Sequence, residues 1–113
     1  MKTNLQTRKL LTALHKAGKS APVWKQVAAE LERPTRQHAR VNISKIDRYV
    51  RDGETAVIPG KVLSLGNTTK KISVAAFQFS DIAKEKVRKS GQALSIAELL
   101  EKNPKGNKVR IIK

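Results

Sequence analysis

Apolar residues recur at helical spacing in the first third of the chain and at strand spacing in its middle. Leu5, Leu10, Leu11, Leu14 and Ala17 fall on one side of a helix over Asn4 to about Ala17, which Gly18 can end. Pro22 suits the first turn of a second helix, where its missing N–H leaves no bond unmade. Trp24, Val27, Ala28 and Leu31 follow i, i+3, i+4, i+7 spacing, and Pro34 stops the helix. The short Ser20-Ala21-Pro22 link predicts a helical hairpin. Trp24 then reads as a core residue between the helices, in preference to a platform for stacking a base.

The pattern changes after Arg33. Residues 33–40 have no period and read as an extended loop, and Val41 and Ile43 alternate with polar partners as in a very short strand. Ser44 and Asp47 resemble a capping box, opening a short helix with Ile46, Tyr49 and Val50 on its apolar side. Asp52-Gly53 signals a turn. Thr55 to Ile58 reads as a strand broken at Pro59-Gly60, and Val62, Leu63 and Leu65 suggest another. Ile72 to Phe79 gives the strongest strand signal. Ile72, Val74 and Ala76 lie on one face and Ala75, Phe77 and Phe79 on the other, so both faces should be covered. Ser80 and Asp81 start a helix with Ile82, Ala83 and Val87 on its buried side, Lys84, Lys86, Arg88 and Lys89 on its wet side and Gly91 at its end. Leu94 belongs to a brief extended piece. Ser95 and Glu98 form a capping box for a helix anchored by Leu99 and Leu100 and ended by Asn103-Pro104. Residues 109–112 read as a strand.

The expected fold class is therefore α+β: an N-terminal helix pair followed by short interleaved strands and helices. One domain should span 1–113, with a helical region at 1–32, a basic segment at 33–51 and a mixed α/β core at 54–113.

Charge narrows the function. The chain of 113 residues carries 24 Lys and Arg against 9 Asp and Glu, a net +15. A folded body with this excess repels itself until a polyanion neutralises it. Nucleic acid and an anionic membrane surface are the obvious partners. No apolar run approaches the roughly 18 residues that span a bilayer, and Met1 to Thr7 have no apolar core of signal-peptide type. Cysteine is absent, which removes disulfides and thiolate metal sites. These features fit a cytoplasmic protein. Residues 1–53 carry +8 and residues 54–113 carry +7, so the charge surrounds a folded body and is not confined to a tail.

Two stretches concentrate the candidate chemistry. Residues 33–51 hold Arg33, Arg36, Arg40, Arg48 and Arg51, five of the eight arginines, with His38 and Lys45, against Asp47 alone. The guanidinium fork matches phosphate oxygens. Little apolar content holds this stretch to a core, so a solvated loop with scattered charge is the competing reading. The second stretch is Gly60 to Lys71. Gly60 and Gly66 allow close backbone approach, Asn67 lies in the turn, and Lys61, Lys70 and Lys71 supply charge. Alone it reads equally as RNA contact or as two ordinary turns. If the five arginines each meet a phosphate, raising salt from about 50 to 200 mM should weaken binding roughly 10²-fold.

Catalysis finds no support. His15 and His38 lack acidic neighbours to complete a metal set, and no nucleophile elbow, Walker loop or dinucleotide fingerprint is present. No cofactor or small-molecule substrate is expected. Trp24, Tyr49, Phe77 and Phe79 are the only aromatics, and three fall on predicted core faces, which is poor material for reading single strands by stacking. Structured RNA recognised through backbone and shape is the expected target. A DNA-binding helix-turn-helix regulator is the alternative, although the link between the helices at 22–32 and 44–51 exceeds the usual turn. A ribosome-associated RNA-binding chaperone is a third.

Lys61-Val-Leu-Ser-Leu-Gly66, Ile72-Ser-Val74, Phe79-Ser80, Ala83, Val87 and Gly91 resemble a known signature. It is shared by bacterial large-subunit ribosomal protein fifteen and archaeal and eukaryotic large-subunit protein eighteen-e. Thr68 stands where that pattern has an aliphatic residue. Ala21-Pro-Val-Trp24, Asn42-Ile-Ser-Lys-Ile46, Val57 to Leu63, Ala93 to Ile96 and Asn103-Pro104 are similar to the archaeal eighteen-e branch. The resemblance implies an irregular superhelix of strand-strand-helix turns. It also implies a non-catalytic constituent of the large ribosomal subunit, in the cytoplasm, bound to large-subunit ribosomal RNA beside neighbouring ribosomal proteins.

Overall fold

Short strands alternating with short helices can lie side by side in parallel, because each helix carries the chain back across a sheet face. The computed structural model describes residues 5–113, with side chains from Arg8 onward apart from Thr35. Asn4, the expected helix start, lies outside the described residues, as does the Leu5 side chain. Helices α1 (Leu5–Gly18) and α2 (Pro22–Leu31) form the predicted hairpin. A 3-10 turn (Thr35–Gln37) leads to β1 (Ala39–Asn42) and α3 (Ile43–Tyr49). Then come β2 (Thr55–Leu63), β3 (Ser73–Phe79), α4 (Asp81–Ser90), β4 (Gln92–Ser95), α5 (Ile96–Lys102) and β5 (Val109–Ile111).

All strand pairs are parallel. β2 is the axis of the sheet. One of its edges pairs with β3, which in turn pairs with β4. Its other edge is shared: β5 takes Thr55–Val57 and β1 takes Gly60–Leu63. Helices cover both faces. Ile43, Ile46 and Val50 of the α3 region pack with Ala83 and Val87 of α4 on Ile58 and Val74. On the opposite face Leu14, Trp24, Val27, Leu31, Ile96 and Leu99 pack on Val57 and Ala75. The two-faced pattern of β3 thus has the expected cause. Trp24 is fully buried, and its indole N–H donates to the Pro104 carbonyl at 2.9 Å. The core reading of Trp24 holds.

The mixed class, the hairpin and the interleaving agree with the sequence, as do the later caps. Ser80 Oγ accepts from the Ala83 N–H at 3.2 Å. Ser95 and Glu98 satisfy each other's backbone N–H in a full capping box. Other expectations give way to tertiary effects. Thr55 to Leu63 is one strand, not two. Pro59 and Gly60 sit at a register shift between Ile58 and Lys61, where one extra residue of β2 is accommodated and the missing proline N–H is tolerated. The expected Ser44–Asp47 capping box is absent. α3 begins one residue earlier, at Ile43, and the Ser44 N–H donates instead to the Leu65 carbonyl at 3.0 Å. Asp47 Oδ1 accepts from the Thr68 hydroxyl at 2.7 Å, which gives that threonine a polar partner at the loop edge. Tyr49 is 50% exposed, Leu65 69% and Ile82 58%, so none of the three joins the core; on α4 only Ala83 and Val87 reach it. Phe79 packs with the α3–α4 side, whereas Ala75 and Phe77 pack on the other side. The register shift breaks their alternation.

Candidate nucleic-acid interface

The basic segment is part of the sheet. Val41, Ile43, Ile46 and Val50 are buried, so residues 39–50 are held by their own apolar side chains. The expectation of little anchorage is corrected there. The 3-10 turn that carries Arg36 is the looser part, with Arg33, Pro34, Arg36 and Gln37 all exposed.

The candidate residues fall into two patches and an inner set. The first patch lies on β1 and the far half of β2. Arg40 and Lys61 are register partners, and Lys61 pairs onward with Gln78 of β3. All three are exposed, in one row across the sheet. Their face is the one that α1, α2 and α5 cover elsewhere. A cavity of about 380 Å³ opens here between Arg40, Lys61, Leu63, Phe77, Gln78 and the His38 ring. Arg36 sits on the turn entering β1. The second patch gathers where α3 ends. Arg48 and Arg51 are exposed there. Lys71 joins them because its backbone N–H donates to Asp52 Oδ1 at 3.0 Å and its carbonyl accepts from the Gly53 N–H at 3.1 Å. Among the described residues, the side chains of Arg36, Arg40, Arg48, Arg51, Lys61 and Lys71 form no ion pair.

The inner set is engaged within the chain. Lys70 is half-buried, and its ammonium donates to the Asp47 carbonyl and, at 3.0 Å, to the Val50 carbonyl. A cation is favoured at that place, where α3 leaves carbonyls without intrahelical partners. His38 Nε2–H donates to the carbonyls of Leu31 (3.1 Å) and Arg33 (2.8 Å). Its ring stands perpendicular to Phe77, with centroids 5.9 Å apart. Lys45 Nζ donates to the Lys113 carbonyl at 2.6 Å. Arg33 lies 3.7 Å from Glu30, whose other oxygen accepts from Lys113 Nζ at 2.8 Å. The Lys113 bond, with the charges of Lys113, Arg33 and His38, holds the Glu30 carboxyl below its ordinary range against partial burial. Glu54 is likewise lowered, first by the Arg51 backbone N–H and then by Arg110.

The two glycines serve close approach inside the fold. A Cβ on Gly60 would lie 2.0 Å from the Ala39 carbonyl oxygen, so its absence lets β1 sit against β2 at the register shift. Gly66 has φ +97°, and a Cβ there would meet the Ser44 backbone nitrogen at 2.7 Å. Lys86 Nζ donates to the carbonyls of Ser64 (2.8 Å) and Gly66 (3.0 Å) and holds this loop, leaving Asn67 exposed. Sequence reasoning did not single out Gln78, or Phe77 as a cavity wall, and it placed Lys86 on the wet side of α4, where its ammonium is instead engaged by the Ser64 and Gly66 carbonyls. Their placement follows from the register shift and from a contact spanning about 20 residues, which no local pattern carries.

Among the described residues no group of three or more His, Asp or Glu could hold a metal ion, and no helix is long and apolar enough to cross a membrane. Residues 25–93 match the family described as ribosomal proteins 50S-L15 and 50S-L18e with their 60S counterpart. Large ribosomal subunit protein eL18 of Methanococcus maripaludis is 44% identical, covering 99% of this chain and 96% of the relative. The proteins of the same name from Haloarcula marismortui and Methanopyrus kandleri are 43% and 47% identical, covering 99% and 97% of this chain and 98% and 93% of the relatives. The sequence signature, its placement on the sheet and these matches agree: the chain belongs to the family of ribosomal proteins 50S-L15 and 50S-L18e.

Proposed function

We propose that this protein is a structural, non-catalytic constituent of the large ribosomal subunit, working in the cytoplasm. It binds folded large-subunit ribosomal RNA chiefly through phosphates, beside neighbouring ribosomal proteins. The observation that carries the reading is the set of exposed arginines and lysines without ion pairs among the described residues: Arg40 and Lys61 on paired strands with Arg36 on the turn before them, and Arg48, Arg51 and Lys71 gathered where α3 ends. Strand pairing sets the spacing of Arg40 and Lys61, and the end of α3 that of Arg48, which suits the fixed phosphate geometry of folded RNA. Arg33, His38, Lys45, Gly60, Gly66, Asn67 and Lys70 contribute by shaping or flanking the two patches. The helix-turn-helix alternative lacks its geometry, because β1 intervenes between α2 and α3 and α3 packs on the sheet.

Large subunits purified at high salt should retain the chain at one copy per particle. Recovery only in a free, DNA-bound pool would overturn the reading. Replacing Arg33, Arg36 and Arg40 together by Ala should weaken binding to large-subunit RNA and flatten its salt dependence while leaving the circular dichroism spectrum unchanged.

A further inference from the structure

The cavity over β1, β2 and β3 has features that backbone contact alone does not use. Its volume of about 380 Å³ falls within the roughly 300–1,000 Å³ of small-ligand sites. One wall is aromatic: Phe77 stands against His38, whose ring is locked by its bonds to the Leu31 and Arg33 carbonyls. Gln78 adds an exposed amide, able to donate and accept, beside that wall. Phe77 and Gln78 are consecutive, yet both line the cavity, because the register shift opposite them interrupts the alternation of β3. Arg40 and Lys61 stand on the same row as Gln78, and among the described residues neither has an anionic partner.

We propose that this cavity receives one unpaired nucleotide splayed out of the ribosomal RNA. The base packs on Phe77 and His38, Gln78 hydrogen-bonds its edge, and Arg40 and Lys61 hold the flanking phosphate. The inference rests on the RNA-binding reading and deepens it. Unstacked bases are the part of a folded RNA that side chains can read by stacking and edge contacts. Two unopposed cations beside a preformed aromatic wall suit a nucleotide better than an apolar peptide side chain. A larger adjoining cavity of about 600 Å³ between α1 and α5 shares Phe77 and Gln78 but carries the carboxylate of Glu101 in its lining as well as Lys9. The phosphate therefore belongs on the Arg40–Lys61 side.

The test uses the full chain, large-subunit ribosomal RNA from its own source, and base-specific chemical probing at each nucleotide. Wild-type protein should protect one unpaired nucleotide whose protection disappears with Gln78→Ala, while the remaining footprint persists. Phe77→Leu should lose the same protection and weaken binding about tenfold. Gln78 is exposed, so its variant tests the cavity even if the Phe77 variant is unstable. Lys61→Ala should weaken binding and lower the salt slope by about one unit. A footprint that Gln78→Ala leaves wholly unchanged would overturn the cavity proposal but leave the RNA-binding reading intact. Absence of any specific footprint from wild type would defeat the RNA-binding reading itself. Crosslinking of position 78 to a neighbouring protein within assembled subunits would assign the cavity to a protein partner and overturn the proposal.

Discussion

Lys70→Met separates charge that builds the fold from charge left free for the proposed RNA contact. The substitution keeps most of the apolar stem and removes the ammonium. Its bonds to the Asp47 and Val50 carbonyls are then lost where α3 ends. Hydrogen bonds to charged groups contribute about 1.5–3 kcal/mol each. A cation at a helix C-terminus contributes a further 0.3–1 kcal/mol or so. Lys70 is half-buried, so water can reach the released carbonyls and replace part of both bonds. The net loss should be about 2 kcal/mol. For a domain of this size each kcal/mol moves Tm by about 3–6 °C, so the variant should melt about 6–12 °C lower by circular dichroism. Lys71→Met is the matched control, because the Lys71 side chain is exposed and only its backbone is engaged. It should melt like the wild type, bind RNA more weakly and show a salt slope lower by about one unit. RNA affinity of both variants is measured well below their melting transitions. The reasoning is refuted if Lys70→Met keeps the wild-type Tm but loses RNA binding, since Lys70 would then act as a phosphate ligand and not as a helix clamp.

Gly60→Ala should destabilise by at least about 2 kcal/mol in urea titration, because its Cβ would meet the fixed Ala39 carbonyl oxygen at 2.0 Å. Gly53→Ala is the informative contrast: φ is +84° but nothing lies within 4 Å, so only the left-handed strain of about 1–2 kcal/mol applies. Equal effects at the two sites would show that β1 is not tightly seated. Trp24→Phe should cost about 2–4 kcal/mol, combining lost volume in a fully buried site with an unpaired Pro104 carbonyl; a Tm within 2 °C or so of wild type would contradict that packing. Acid should also weaken the fold. Glu30 and Glu54 are held below the ordinary glutamate value, so their contribution is complete above about pH 4.3 and disappears as pH falls through the lowered values. Urea midpoints compared at pH 6 and pH 3 should show less acid sensitivity in Glu54→Gln than in wild type, and identical sensitivity would exclude the Arg51–Arg110 clamp as a cause.

Local signals were legible where one short stretch carried the whole physical cause. Pro22 at a helix start, Ser80 and the Ser95–Glu98 box, and the stops around Leu31 and Asn103 all act within a turn or two of chain. The two-faced apolar run of β3 likewise announced a strand covered on both sides. The basic character of residues 33–51 was plain, but its anchorage was not. Val41, Ile43, Ile46 and Val50 are too few to mark a core segment locally, and they count only once α4 and the sheet close over them.

The amino-acid sequence by itself determined the helix hairpin, most element positions, the excess of positive charge and the family resemblance. The first three depend on composition or on spacings within one or two short elements, and the resemblance on the order of residues along the chain, so none needs the chain to be folded. The tertiary structure decided which of those charges face outward and which are engaged. Lys70 and Lys86 are lysines like any other in the sequence, and only carbonyls about 20 residues away turn them into clamps. Arg40, Lys61 and Gln78 are far apart along the chain, and only parallel pairing with a one-residue register shift sets them in a row. Strand register depends on how distant backbones meet and on whether a side chain such as a Cβ at Gly60 would keep them apart.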